Sequence, residues 1–334
     1  VVPGNDRGLS NGTVRSLYRQ SPDSIWIGTD GGGINLFSPH TEKFTHYSST
    51  WGDKVAFISG FTPGKLLISL FSKGVFVFNP ATGEKQPFTI IDKETTTRLC
   101  NRGKSVNLYQ NTPNTVLFLG DHIYQYHLKE KKFSTITEEE GKDIVGTLVP
   151  FDHQENLTYI NDIKHIYELD DQTSRLKTVF ECYTDTVISS VSHDEQGHFW
   201  IGSNFGLIHY DPVLKSRTLV PTNLFTEINM VLCDQKGKVW IGVDNMLFAY
   251  FIKEQKFVLF GESNGAIQNE YLPNARLVNE QGDAYIGGVK GMLRIDGQLL
   301  LNTSEMPELQ LLDITINGES ANHEWYNHPA KISV

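Results

Sequence analysis

One short motif, a bulky residue followed by an aliphatic and then a small one, returns seven times along the 334 residues and governs what the chain can fold into. Trp26-Ile27-Gly28, Trp200-Ile201-Gly202 and Trp240-Ile241-Gly242 are the clear copies, and Tyr285-Ile286-Gly287 is a variant. Leu67-Ile68-Ser69, Phe118-Leu119-Gly120 and Tyr159-Ile160-Asn161 are weaker copies. Successive copies are 41, 51, 41, 41, 40 and 45 residues apart. A period in the low forties marks a repeat architecture, in which each unit hides its apolar surface against its neighbours.

The interior of a unit tells which architecture. In 186–220, Val187–Val191 alternates as a strand, and Asp194-Glu195-Gln196-Gly197 forms a turn. Phe199–Gly202, Leu207–Tyr210 and Arg217–Val220 follow, with a break at Asp211-Pro212. Short strands separated by Gly, Asp, Asn and Pro are hairpins in series. The acidic or amide side chain at the turn bonds its own backbone, and the Gly three residues later accepts positive φ. Asp234-Gln235-Lys236-Gly237 and Asn279-Glu280-Gln281-Gly282 repeat the device. Four antiparallel strands per unit predict an all-β chain, a seven-bladed β-propeller of four-stranded blades. A β-solenoid is the competing architecture, but its repeats are shorter. The bulky residue of each motif is expected between blades, and the glycine where backbone passes close to the axis.

Blade seven reads as incomplete, because only Leu299–Leu301 follows Met292–Ile295 before Asn302-Thr303-Ser304 breaks the pattern. Val1-Val2-Pro3 resembles Leu219-Val220-Pro221 at the end of an outer strand. It is expected to close the last blade and remove its open edge. The expected organisation is a lead-in over 1–12, the propeller over 13–301, and the first strands of a β-sandwich over 302–334.

Composition narrows the partners. With Asp+Glu 39 against Lys+Arg 29, the formal net charge of −10 argues against nucleic acid. Cys100, Cys182 and Cys233 are too few and too scattered for a disulfide framework or a zinc site, and read as buried thiols. No apolar run approaches the roughly 20 residues of a membrane helix, so no membrane contact is expected. Val1-Val2-Pro3-Gly4 shows no initiator Met or signal peptide, and the chain reads as a piece of a longer one. Three asparagines (Asn11, Asn156, Asn302) match the glycosylation triplet, a match short enough to arise by chance.

Asn11–Leu17 followed by Ile25–Ile34 closely resembles the two-component regulator propeller repeat, and blades five and six resemble it well. Asn269-Glu270-Tyr271, Tyr285–Gly288 and Gly291–Leu293 resemble the variant repeat that ends such propellers. Pro307–Gly318 is similar to the first strand of the triple-tyrosine β-sandwich that follows them. This resemblance implies the periplasmic sensor region of a hybrid two-component histidine kinase and response regulator. It implies a preceding propeller, the sandwich, a membrane helix and a kinase elsewhere in the protein, and a homodimeric receptor. It further implies an oligosaccharide ligand released from polysaccharide, and control of genes for carbohydrate use.

His323-Glu324-Trp325-Tyr326-Asn327-His328 misses the metalloprotease spacing, because the second His falls one residue late. Gly31-Gly32-Gly33 lacks the Lys-Ser/Thr of a phosphate loop and joins strands. No nucleophile elbow and no obvious carboxylate pair occur. The expectation is therefore no catalytic residue, no metal and no cofactor. A propeller lyase or glycan-cleaving enzyme, and a protein-interaction scaffold, stand as alternatives. A ligand is expected on the face formed by the interblade loops and the loops between second and third strands. The candidate contacts there are Trp51, Arg98, Arg102, His122, His165, Tyr183, Asn204, Phe205, Phe225, Asp244 and Tyr271. Aromatic planes stack on sugar rings, while Arg, His and Asn supply directional hydrogen bonds.

Overall fold

A computed structural model describes residues 8–47, 54–89, 106–120, 122–138, 148–154, 156–224 and 227–298, with 315–316 and 319–320. The chain divides into two compact units, Val1–Leu299 and Leu300–Val334. The first is a seven-bladed propeller whose blades span 14–47, 55–87, 107–136, 149–181, 188–219, 230–260 and 271–295. Six blades are four-stranded antiparallel sheets in sequence order. The described part of the seventh has three strands, Tyr271–Val278, Ala284–Gly288 and Gly291–Ile295. Val1-Val2-Pro3, expected to close it, lies outside the described residues. In the second unit Thr315–Ile316 pairs antiparallel with Glu319–Ser320. The rest of the expected sandwich opening lies outside the described residues.

Each residue of the repeated motif has a separate task, because successive side chains on a strand point to opposite faces. Trp26 packs among Val55, Leu66 and Phe78 of blade two, while Ile25 and Ile27 join Ala275 and Tyr285 of blade seven. Trp200 enters the cluster built by Val231, Ile241 and Tyr250 of blade six, and Ile201 faces blade four beside Tyr159 and Phe180. Tyr285 packs against Phe37 of blade one, with ring centroids 6.4 Å apart. The bulky residue thus serves the interface with the next blade, and the aliphatic one the interface with the previous blade.

The small residue is a seat. A Cβ on Gly28 would stand 2.7 Å from Val55 Cγ1, and one on Gly202 would stand 2.7 Å from Ile228 Cγ2. On Gly287 it would stand 2.5 Å from Val14 Cγ1. What approaches is the side chain at the head of the next blade's first strand, so the close pass expected of backbone is made by a side chain. Hydrogen bonds reinforce these junctions: Ser190 Oγ accepts from Val231 N at 3.0 Å, and Ser192 Oγ from Cys233 N at 2.9 Å.

Blade three departs from the sequence alignment by one residue. Leu117 and Leu119 pack with Ile160 and Tyr167 of blade four, whereas Phe118 turns back toward Leu67 and Phe88 of blade two. Leu117 therefore holds the place that tryptophan holds in blade one. A slip of one residue exchanges the two faces of a strand, and without a tryptophan the sequence cannot fix that register.

Among the described residues, side chains join blades seven and one. Leu9, Val14 and Phe37 share a core with Ala275, Tyr285 and Met292. Thr13 Oγ1 donates to Val289 O at 3.3 Å, and Arg19 pairs with Glu280 at the same distance.

The turns match their expected chemistry. Asp194 Oδ1 accepts from the backbone N–H of Gln196 and His198, and Asp234 Oδ1 from those of Lys236 and Lys238. Gly197 and Gly237 adopt φ of 88° and 87°, where a side chain would be strained. Asp194 Oδ2 also accepts from Trp200 Nε1 at 2.8 Å, whereas Trp240 Nε1 has no partner among the described residues.

Replacing either tryptophan by alanine is expected to cost about 3–5 kcal/mol in chemical denaturation. Trp200→Phe should cost about 1 kcal/mol more than Trp240→Phe, because only Trp200 forfeits a hydrogen bond. Equal losses would show that the indole N–H of Trp200 contributes nothing. Gly287→Val should destabilise by about 1–3 kcal/mol through overpacking against Val14, read from the urea midpoint. An unchanged midpoint would mean that blades one and seven are not in tight contact.

Candidate functional site

The first strands of the blades surround the propeller axis. Residues along these strands, with turn residues of blades one, six and seven, line a cavity of about 850 Å³. Tyr18, Phe57, Tyr109 and Phe151 border it while packing against the cores between blades. Arg19, Gln110, His193, Gln235, Asn274 and Arg276 bring guanidinium, amide and imidazole groups. Glu280 is the one carboxylate among the described lining residues, and it is engaged with Arg19.

Several of these groups are held by partners in other blades. Arg276, in blade seven, donates through Nη2 to Val191 O in blade five, skipping blade six. Gln235 Nε2 donates to His193 O at 2.6 Å, and the buried His193 ring stacks on Tyr159 at 5.8 Å. Burial pushes the Tyr18 hydroxyl above its ordinary pKa, against a smaller downward pull from its hydrogen bond with the Gly60 backbone. It therefore stays a neutral donor across the physiological range. A cavity bordered by amide, imidazole and guanidinium groups, with one carboxylate in its described wall, suits a polar ligand rich in hydrogen-bonding groups.

Each first strand runs from an interblade loop toward its first turn, and on blades one, six and seven the cavity lining continues into that turn. The described residues among those singled out from the sequence lie at the loops that join blades and the loops between second and third strands. Trp51, Arg98, Arg102 and Phe225 fall outside the described residues. His122 is exposed between the second and third strands of blade three. Tyr183 is 69% exposed and carries the Arg217 guanidinium 4.2 Å above its ring. Asn204 donates to Asp185 O at 3.0 Å and accepts from Val187 N at 2.8 Å, so its amide is committed to the loop. The same contacts bring the loop of Asn204 and Phe205 against the loop of Tyr183. Asp244 is exposed in a hairpin turn at φ 49°.

His165 and Tyr271 are buried, at 7% and 1% exposure. Asp162 organises the surroundings of His165: it accepts from the Lys164 and His165 backbone and from the Tyr167 hydroxyl at 2.8 Å, and its Oδ2 lies 3.1 Å from His165 Nδ1. Burial, then Asp162, pushes the Tyr167 hydroxyl strongly up. Tyr271 donates to Ile267 O at 3.2 Å, and burial pushes its hydroxyl up to about 12.

That loop end has a further character. Eight of the twelve exposed large hydrophobic side chains among the described residues sit there. Phe71, Ile163, Phe205 and Met246 lie at loops between second and third strands, and Tyr183, Val187, Leu224 and Ile267 in interblade loops. The axial residues lie inside strands, where the sequence pattern alone does not distinguish them. Gln110 in Asn107–Thr112 and Arg276 in Tyr271–Val278 stand among other polar residues, so nothing in the strand pattern marks them as axial.

No family model matches the chain, and no curated protein matches it. Solved structures do match. The extracellular domain assigned to the hybrid two-component system BT3049 of B. thetaiotaomicron superposes with a TM-score of 0.69 at 17% identity, over 96% of this chain and 45% of that one. The corresponding domain of BT4673 from the same organism gives 0.65 at 15% identity, over 87% and 39%. Virginiamycin B lyase from Staphylococcus aureus gives 0.60 at 10% identity, over 87% and 95%. At these identities the likeness is one of fold, the seven-bladed propeller. The chain spans less than half the length of the two-component domains it matches. Among the described residues no helix is long and apolar enough to cross a membrane.

The thiols respond to burial. Burial pushes Cys182 up to about 11, and pushes the fully buried Cys233 further still. At pH 8 the thiolate fraction of Cys182 is on the order of one in a thousand. Iodoacetamide at that pH, mapped by peptide mass spectrometry, should leave both residues unmodified in the native chain. Rapid labelling of Cys233 would mean that the interface of blades five and six opens readily.

Proposed function

We propose that this chain is the extracytoplasmic, periplasmic sensing region of a hybrid two-component regulator. In this reading it recognises an oligosaccharide released from polysaccharide and governs genes for carbohydrate use through a phosphorelay. The axial cavity carries the ligand part, since it gathers amide, imidazole and guanidinium groups anchored in different blades. The likeness in fold to extracellular domains of hybrid two-component systems supports the signalling part. The repeat resemblance over Asn11–Ile34 supports it independently. A preceding propeller, a following β-sandwich and a homodimer belong to the same proposal. The ligand leaves chemically unchanged, because a sensor needs occupancy and not turnover.

A second reading, a protein-docking propeller, draws on the apolar residues at the loop end. Contiguous exposed apolar surface rimmed by polar groups marks protein contacts.

Calorimetry of the chain against plant, host and microbial oligosaccharides, with mass spectrometry of the recovered sugar, tests the proposal. One glycan class should bind and be recovered intact, and Asn274→Ala should weaken it at least tenfold, about 1.4 kcal/mol. A shortened or unsaturated product would make the chain an enzyme. Binding lost in Tyr183→Ala and Phe205→Ala but retained in Asn274→Ala would move the ligand to the loop end.

A further inference from the structure

Three turns between first and second strands share one architecture but differ in charge. Asp194, Asp234 and Asn279 stand six residues before Trp200, Trp240 and Tyr285. Two more positions complete each arrangement: the residue two before the aromatic, and the residue paired with the aromatic across the hairpin. In blade six these are Lys238 and Ala249, and the Lys238 ammonium lies 2.9 Å from Asp234 Oδ2. In blade seven they are Asp283 and Arg294, paired at 3.1 Å. Both turns thus hold a carboxylate and a cation in contact.

Blade five departs from this pattern. Its two positions are His198 and His209, and among the described residues no lysine or arginine pairs with Asp194. The Asp194 side chain is 8% exposed, so a carboxylate stands nearly buried beside two imidazoles. His198 Nδ1 lies 3.7 Å from Asp194 Oδ2, and its Nε2 lies 3.6 Å from Asp211 Oδ2. The His209 ring stands 4.9 Å from the His198 ring at an interplanar angle of 84°. One ligand atom each from Asp194, His198 and His209 lie within 4.8 Å of one another.

We propose that Asp194, His198 and His209 form a binding site for a divalent transition-metal ion of the zinc class. The ion supplies in blade five the positive charge that Lys238 supplies in blade six. Two imidazoles with one carboxylate select borderline ions over magnesium and calcium, which take oxygen-only sets. At metal–ligand bonds of about 2.0–2.1 Å, tetrahedral neighbours stand roughly 3.3–3.5 Å apart, so the imidazoles need to close by about 1 Å. The His198 side chain, 23% exposed, has room to do so.

Asp194 is held in place by its own turn. Its Oδ1 is fixed by the backbone N–H groups of Gln196 and His198, and its Oδ2 by the Trp200 indole. Such outer partners orient a ligating carboxylate before the ion arrives. A cavity of about 310 Å³ between blades five and six, bordered by Asp194, His198, His209 and Lys253, gives access and leaves a coordination position open for water.

Zinc titrated calorimetrically into the tag-free chain at pH 7 should bind with one-to-one stoichiometry. A concentration 100-fold above the dissociation constant should shift the folding equilibrium about 100-fold toward the native state, raising the urea midpoint. The double variant His198→Lys with His209→Ala installs in blade five the residues of blade six. It should fold without zinc, show a wild-type circular dichroism spectrum, and lose zinc binding at least 100-fold. If it fails to fold, His209→Ala alone should lose binding at least tenfold. No binding at 100 µM zinc, or undiminished binding in the variant that folds, overturns the proposal.

Discussion

The propeller depends on one contact repeated around the axis: a bulky side chain from the second strand of a blade pressed into the face of the next. Trp26, Trp200 and Tyr285 make it with aromatic rings, and Leu67 and Leu117 with aliphatic ones. Burying such a side chain contributes roughly 1.5–3 kcal/mol relative to leaving it in water. Because the contact joins neighbours, each blade is stable only as part of the ring. The glycine two residues after the tryptophan belongs to the same contact. It lowers the surface of one blade just where the first strand of the next arrives.

Ring closure is the point at which a repeat protein differs from an open stack. An open array has terminal units that each lack one neighbour. Here Val14 fits over Gly287 as Val55 fits over Gly28, so the junction between the last and first blades uses the same parts as an internal one. The cross-axis bond from Arg276 to Val191 O adds a link between blades that are not neighbours. The axial cavity is therefore bounded by groups whose positions are set by several blades together. Its wall is assembled by the whole ring.

The parts of this organisation legible in the sequence are those written by residues with few alternatives. Trp200 and Trp240, each with an acidic turn six residues before it, fixed both the strand and its facing. Blade three lacks a tryptophan, and there the reading slipped by one residue, since Leu117, Phe118 and Leu119 are all apolar and periodicity alone cannot choose among them. The candidate contacts were drawn from loops, where exposure follows from connectivity, but burial does not. His165 and Tyr271 are loop-proximal yet enclosed, one by the Asp162 network and the other over Gly242. The axial groups escaped notice because a polar residue within a strand reads as outward-facing unless the axis is known. His198 and His209 are not legible as a pair because ten residues of hairpin separate two side chains that cross-strand register brings together.

The opposite facing of tryptophan and isoleucine also gives each blade a direction. One side of a blade is a knob and the other a seat, so every junction is head-to-tail, like the heterologous interface of a ring-forming oligomer. Head-to-tail junctions close only when the turn made at each one divides a full circle. Seven blades require roughly 51° per step, and an eighth would require about 45°. That angle is the wedge formed by the depth of the seat and the height of the knob. Blades with leucine knobs occupy the same circle as blades with tryptophan knobs, so the smaller knobs must be matched by compensating bulk. Phe118, turned back against blade two, supplies some of it. The number of blades is in this sense an angular property of the junction, and changing one knob alters the circle that all seven must share.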